Sequence, residues 1–256
     1  MSSHDEKYDR LFSDGYREAM SMFDYARAQA LKHLIRRILK LRNVNAALDY
    51  GCGSGIYVGL WREIFPKAKL SFCDISSVAL KGLIAKFPEY ESHCAPVKDG
   101  RAELGDAIFD VIVSVEVMEH VEDLDAYLRD VHRLLKPGGI FVWTTPCANL
   151  FSIEHIYSLL TGNIQKTGEG YVRWRWEDET HIRRMRTSQA KVKLKAAGFR
   201  DVGFRFRSHL FSFICMHLLR GPLRKLGPSI MMWDYMLFRR LPNAAAMLGW
   251  GRRAGN

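Results

Sequence analysis

The 256 residues include 38 Lys and Arg against 28 Asp and Glu, a formal charge of +10, with 48% hydrophobic and 26% charged side chains. This balance matches a globular chain able to bury a sizeable core and argues against disorder, a collagen-like repeat and an integral membrane protein. Five cysteines with no CxxC pair indicate neither a disulfide framework nor a zinc ribbon, and fit a reducing compartment. The start of the chain lacks the basic stretch and apolar run of a secretory leader, so a cytosolic location is expected.

Charge is unevenly placed. Residues 1–170 hold 20 basic and 23 acidic side chains, and residues 171–256 hold 18 and 5, so the two parts carry −3 and +13. The second part is therefore expected to meet something anionic: a phosphate-bearing substrate, a lipid surface or nucleic acid.

In chain order, Met20, Phe23, Ala26, Ala30, Leu34, Ile38 and Leu41 recur at helical spacing and predict an amphipathic helix between Tyr16 and Arg42. Ala46 to Tyr50 is a short apolar strand that runs into a glycine cluster, after which Tyr57 to Phe65 resumes a helical pattern ending at Pro66. A strand at 70–74, a helix over 76–87 capped by serine, a β-branched strand at 111–115 and a helix over 124–135 follow. Residues 136–139, Lys-Pro-Gly-Gly, read as a turn before a strand at 140–144. Alternating strands and helices predict an α/β fold: a Rossmann-like, doubly wound, mostly parallel sheet of seven strands. Residues 147–187 read as an insertion over the site, and 188–197 as a helix ended by Gly198. Phe199 to Arg207 alternates as a half-buried strand, with 210–216 as its expected antiparallel neighbour. The division is then a helical segment 1–43, a core 44–146, the insertion 147–187, a last helix and strands 188–215 and a basic apolar extension 216–256, all in one domain.

The glycine loop carries the first chemistry. Asp49-Tyr50-Gly51-Cys52-Gly53-Ser54-Gly55 has GxGxG spacing and not the GxGxxG of a dinucleotide site, which disfavours a nicotinamide oxidoreductase. An acid directly before the glycines would repel a pyrophosphate, and it suits a cofactor with a cationic, amino-acid-like end that Asp49 or loop carbonyls would meet. Asp74, closing the second strand, is placed to accept ribose hydroxyls.

With LDYGCGSG at 48–55, CDIS at 73–76, FDVIVSVEVMEHVED at 109–123 and LLKPGGIFVWTTP at 134–146, the chain resembles the class I S-adenosylmethionine-dependent methyltransferases. AKVKLKAAGF at 190–199 is similar to that family's last helix and sixth strand, and the nearest group is the ubiquinone-type and small-molecule O-methyltransferases. The resemblance implies that Gly51, Gly53 and Gly55 line the methionine portion, Asp74 the ribose, Ile75 the adenine face and Asp99 the adenine amino group. Lys98 competes with Asp99 for that last place, because 93–106 departs from the family pattern. Val115 and Glu116 would pass beside the methionine end.

The resemblance further implies methyl transfer by in-line displacement, for which alignment and exclusion of water are the main needs. A hydroxyl acceptor also needs a base, and His120, His155 and His181 are the candidates, with His181 favoured by its place in WEDETHIRRMRTS beside Asp178. Glu116, Glu119 and His120, at i, i+3 and i+4, would share one side of a helical turn and suit a divalent ion. Some members of the resembled group bind a metal through such a pattern plus a later histidine, which would be His181. The expected acceptor is a hydroxyl on an amphipathic or anionic small molecule such as a quinone, lipid or lipid-linked sugar, ahead of RNA or an amine. A cofactor-binding module without catalysis is the rival class.

Two segments remain. Tyr171-Val172-Arg173-Trp174-Arg175-Trp176 alternates aromatics with arginines and suits stacking on a ring or closing a lid. After an apolar run at 209–219, too short for the roughly 18 residues of a membrane span, apolar residues from Ile230 to Phe238 mix with Arg220, Arg224, Lys225, Arg239 and Arg240. That mixture suits peripheral contact with an anionic membrane.

Overall fold

The computed structural model describes residues 3–16, 19–39, 43–166, 172–175 and 180–255. Its centre is a sheet of eight strands in the order β4-β3-β2-β1-β5-β6-β10-β9. The strands are β1 (Ala46–Tyr50), β2 (Lys69–Asp74), β3 (Cys94–Lys98), β4 (Arg101–Ala102), β5 (Phe109–Val115), β6 (Leu135–Pro146), β9 (Phe199–Arg207) and β10 (Ala246–Arg253). β1 pairs in parallel with β2 and β5, β2 with β3 and β5 with β6, whereas β10 runs antiparallel between β6 and β9.

Five of these strands, β1, β2, β5, β6 and β9, fall where the sequence places strands; β3, β4 and β10 do not correspond to any strand located from the sequence. Lys98 pairs with Arg101 across Asp99 and Gly100. Both turn residues have positive φ, 49° and 71°, the geometry of an Asp-Gly hairpin turn whose twist matches that of its strands. The turn expected at 136–139 is absorbed into β6, where the backbone bends at Gly138, φ 75°, and the pairing with β5 shifts between Phe109 and Val111.

The parallel strands are buried on both faces by helices. On one face α2 (Met22–Leu39) and α3 (Val58–Ile64) cover Ala47, Phe72, Val111, Val113 and Val142. On the other, α5 (Leu124–Leu134) and α7 (Thr187–Ala196) cover Leu48, Ile112, Phe141 and Trp143. Helix starts follow their caps: Ser76 accepts from Ala79 N at the head of α4 (Ser77–Lys86), and Asp123 accepts from Ala126 N at the head of α5. A further helix, α1 (Ser3–Ser13), packs on α4.

The C-terminal part departs most from expectation. Residues 210–218 form a helix, α8, and not a strand beside β9. The reason is Asp234, a fully buried acid on α9 (Gly227–Phe238), whose carboxylate accepts from His209 N at 2.8 Å and Phe211 N at 2.9 Å and so satisfies the first free amides of α8. The place beside β9 is taken by β10, so 216–256 is no mere extension: its last strand completes the sheet. Two tight contacts set that pairing, Trp143 lying across Gly249 and Trp250 across Gly203. The insertion 147–187 contains α6 (Ile153–Leu160) and a hairpin of β7 (Ile164–Lys166) and β8 (Val172–Trp174).

Candidate active site

A cavity of about 400 Å³ opens at the C-terminal ends of β1, β2 and β5, where ligands bind in open α/β sheets. Its floor is the glycine loop. Gly51 stands at φ 77°, and a Cβ there would lie 2.4 Å from Val117 Cγ2, so the position admits no side chain. Gly53 donates its N–H to Asp74 Oδ2 at 2.8 Å while Ser76 N donates to Oδ1 at 2.9 Å. Asp74 thus closes the loop and still faces the cavity; burial raises its pKa and the backbone donors counter that.

Of the expected cofactor residues, Gly51, Gly53, Asp74, Ile75, Asp99, Val115 and Glu116 line the cavity. Lys98 is turned to Glu103, 2.6 Å away, which leaves Asp99 as the cavity-lining residue of the two. Asp49 and Gly55 do not line it. Asp49 is buried under the loop and accepts from Trp61 Nε1 at 2.6 Å. Burial, helped by Asp74, pushes its carboxyl up to about 7 against that hydrogen bond. It fixes the loop from beneath through Trp61.

The lining also contains residues not expected at the site from sequence: Tyr8, Phe12 and Tyr16 from α1 and the residues just after it, with Tyr50, Tyr57, Tyr127, Glu122 and Asp123. No described residue of 147–187 lines the cavity. The cover comes from the N-terminal side, where Phe12 lies over Gly53 and Asp9 accepts from the Ser76 hydroxyl at 2.6 Å. Asp74, Asp99, Glu116, Glu122 and Asp123 face the cavity and no Lys or Arg does among the described residues.

Glu116 ends β5 with φ 55°, a strained conformation for a residue with a side chain. Arg27 Nη2 of α2 reaches its Oε2 at 3.1 Å, Arg207 Nη2 of β9 its Oε1 at 3.7 Å, and the Thr144 hydroxyl donates to Oε1 at 2.7 Å. Arg27 also binds Asp24 Oδ1 at 2.5 Å and the Tyr57 hydroxyl at 3.0 Å. Two buried acids and two buried guanidinium groups therefore balance. Engaged in this way, Glu116 is not part of the metal set expected from spacing.

The rest of that set does converge. The segment 116–120 is a bend and turn, not a helix, and ligand atoms of Glu119, His120 and His181 lie within 4.8 Å of one another, all buried. Glu119 Oε2 accepts from the Thr145 hydroxyl at 2.9 Å; Oε1 has no hydrogen-bond partner. Burial and Glu116 push its carboxyl up to about 7, with His181 opposing. His120 Nδ1 lies 3.2 Å from the Thr180 carbonyl, which requires the proton on Nδ1 and leaves the lone pair of the neutral ring on Nε2. The His181 ring stands 4.7 Å from that of His120, and only His120 lines the cavity. Arg183, 1% exposed, holds the two segments together by donating to the carbonyls of Met118, Val121 and Glu122.

His155, the third candidate base, sits on α6 beside Trp174 and does not line the cavity. Trp174 is buried with Arg184 4.8 Å over its ring, an inward stacking. Asp178, Tyr171 and Trp176 lie outside the described residues, as do the side chains of Val172 and Arg173.

A glycine cradle that admits no side chain at Gly51, a ribose-type acid and an acidic cavity with no Lys or Arg among its described lining residues fit a nucleoside with a sulfonium and an ammonium group, which defines a class I S-adenosylmethionine-dependent methyltransferase. A family model described as a methyltransferase domain matches residues 23–203, and the chain belongs to that family. Among its relatives, demethylmenaquinone methyltransferase of Geobacillus stearothermophilus is 25% identical over 84% of this chain and 97% of its own. Ubiquinone biosynthesis O-methyltransferase of Ruegeria pomeroyi is 34% identical over 38% of this chain and 40% of its own, and a mitochondrial protein of Danio rerio named arginine-hydroxylase NDUFAF5 is 31% identical over 48% and 37%. The match thus spans well under two thirds of several relatives. Haemonchus contortus phosphoethanolamine N-methyltransferase 2 shares the fold with a TM-score of 0.63 at 16% identity, covering 100% of this chain and 61% of that one.

Proposed function

We propose that the enzyme methylates a hydroxyl on a neutral ring-bearing acceptor of the quinol type, with His120 as the base. The observation that carries this reading is His120, a cavity-lining imidazole whose Nδ1 is held by the Thr180 carbonyl so that Nε2 is the basic nitrogen, with the Tyr8 ring 6.0 Å from its own and Tyr127 also in the lining. Bound S-adenosylmethionine supplies a methyl group on a sulfonium that leaves as a neutral thioether. The chain's own part is to hold the acceptor oxygen in line, to exclude water beneath Tyr8 and Phe12, and to take the hydroxyl proton at Nε2. Thr180 keeps the ring in the required tautomer. The quinone-type relatives point the same way, and the acidic cavity favours a neutral acceptor over an anionic one. The basic and apolar helices of the second half support peripheral contact with an anionic membrane, where such acceptors reside.

The Glu119, His120 and His181 cluster favours a second reading, in which one carboxylate and two imidazoles would hold a divalent ion whose charge would acidify the acceptor hydroxyl. The donors fit such an ion.

The test follows S-adenosylhomocysteine release with catechol-type, quinol-type and amine acceptors, for wild type, His120→Gln and His181→Gln, with and without chelator. Turnover on ring hydroxyls that falls by about 10² or more in His120→Gln, with cofactor affinity retained, is the expected result. Methylation of amines alone, or full activity of His120→Gln, refutes it; loss on chelation restored by a divalent ion selects the second reading.

A further inference from the structure

A second cluster of charge lies outside the methyl-transfer cavity, where α2, β9 and α9 meet. His33 and Arg37 stand one turn apart on α2, Arg205 is on β9, and Arg239 and Arg240 follow the last turn of α9. Backbone geometry ties these elements together: Phe206 N donates to the Arg239 carbonyl at 2.9 Å, and the His33 and Tyr235 rings meet edge to face at 5.8 Å. None of the five lines the cavity.

Four observations make this more than a basic surface. Neighbouring cations on α2 are neutralised, Lys32 and Arg36 both by Glu63, whereas Arg37, Arg205, Arg239 and Arg240 make no ion pair among the described residues. The acids of the surrounding elements are committed elsewhere: Asp24 to Arg27, Asp201 to Arg252, Asp234 to the head of α8. The like charges press on one another: burial, then Arg240, Arg239 and Arg37 lower the Arg205 pKa, and burial with Arg239, Arg37 and Arg205 lowers that of His33. Finally, the Tyr235 hydroxyl is a buried donor, on a residue 1% exposed, with no hydrogen-bond partner and with Arg239, Arg205 and Arg37 as its charged neighbours. An unsatisfied buried hydroxyl among uncompensated guanidinium groups is costly unless an anion completes the set.

We propose that Arg37, Arg205, Arg239 and Arg240, with the Tyr235 hydroxyl, form a binding site for a phosphate group. The carrier it fits is the headgroup of an anionic phospholipid, because the exposed face of α9 continues the site as an apolar stripe. Trp233, Met236 and Leu237 are 70%, 40% and 61% exposed and share that face at i, i+3 and i+4, with the exposed Arg240 two residues past the end of the helix. Between residues 202 and 256 the only acid is the buried Asp234, so the stripe on α9 carries no exposed carboxylate to repel a negative membrane. The inference deepens the membrane reading above and is separable from it, since phosphate contact and lipid contact are measured independently.

The experiment titrates the full chain with inorganic phosphate and, separately, with vesicles of phosphatidylcholine alone or mixed with phosphatidylglycerol. The variants are Arg205→Gln/Arg239→Gln, Tyr235→Phe and Trp233→Ser/Leu237→Ser, with calorimetric S-adenosylhomocysteine binding as the check that each is folded. Wild type is expected to bind the anionic vesicles and to be competed by phosphate. The double arginine variant should bind about thirtyfold more weakly, the loss of two basic contacts at a lipid surface, with cofactor affinity unchanged. Trp233→Ser/Leu237→Ser should lose vesicles and keep phosphate. Saturable phosphate binding without vesicle binding overturns the lipid carrier and keeps the site; binding of neither, or equal binding by the double arginine variant, overturns the site itself.

Discussion

Replacing Arg27 by Met tests whether the buried charge network holds the end of β5. Arg27 contributes one of two positive charges that balance Asp24 and Glu116, and it contacts Asp24, Glu116 and Tyr57 at 2.5, 3.1 and 3.0 Å. Methionine fills much of the same space but leaves two buried carboxylates to share Arg207, which stands 3.7 Å from Glu116. Stranding a buried charge in this way costs about 3–5 kcal/mol. For a chain of this size each kcal/mol lowers Tm by about 2–4 °C, so thermal unfolding followed by circular dichroism should drop by roughly 6–20 °C. Arg27→Met/Glu116→Gln restores the balance of one acid and one cation, and should recover at least half of that loss. A single variant within about 2 °C of wild type at pH 7, less than the smallest loss expected from a stranded buried charge, would refute the reasoning, because it would mean that Glu116 needs no cation to stay buried.

Two further outcomes follow from the same structure. Asp49, pushed up to about 7, binds its proton more tightly folded than unfolded, so its contribution is complete below about pH 4 and is lost as the pH rises through 7. Asp49→Asn keeps an acceptor for Trp61 and removes that loss: the variant should gain a few kcal/mol over wild type between pH 4 and pH 8 in denaturant titrations, and a pH-independent difference would exclude the assignment. Gly249→Ala places a Cβ 2.0 Å from Trp143 Cζ2, an overpacking expected to cost about 1–3 kcal/mol; Trp143→Leu in the same chain should relieve part of it, and an unchanged Tm for Gly249→Ala would show that the indole moves freely.

What the sequence disclosed and what it hid divide along the range of the interactions. Gly51, Asp74 and the strand preceding each act over a few residues, and the residue types alone define the loop and its ligand. The Asp99-Gly100 hairpin is equally local, but it lies in 93–106, where the chain departs from the family pattern that locates the other strands. By contrast, α8 depends on a cap from Asp234, some two dozen residues on, and no periodicity in 210–218 announces that partner. Tyr8, Phe12 and Tyr16 have helical spacing, but what they cover is set by the packing of α1 on α4. The metal-type spacing of Glu116, Glu119 and His120 presumes a helix, and the turn actually present leaves Glu116 out while Glu119, His120 and the expected His181 converge. Which of the three candidate imidazoles lines the cavity, His120, is visible only in the fold, and its proposed role as base rests on that placement.

The position of β10 bears on how the chain comes off the ribosome. Its partners are made long before it: β6 and β9 are complete by Arg207, yet neither has its neighbour until residues 246–253 emerge. During that interval the nascent chain presents two unpaired strand edges with Trp143 and Phe206 along them, a template for pairing with other chains. The glycines at 249 and 251 make the arriving strand narrow enough to slide between two finished neighbours, and codons that slow synthesis between 208 and 245 would lengthen the exposure. Aggregation during expression should therefore respond to translation rate across that stretch more than to the stability of the finished fold.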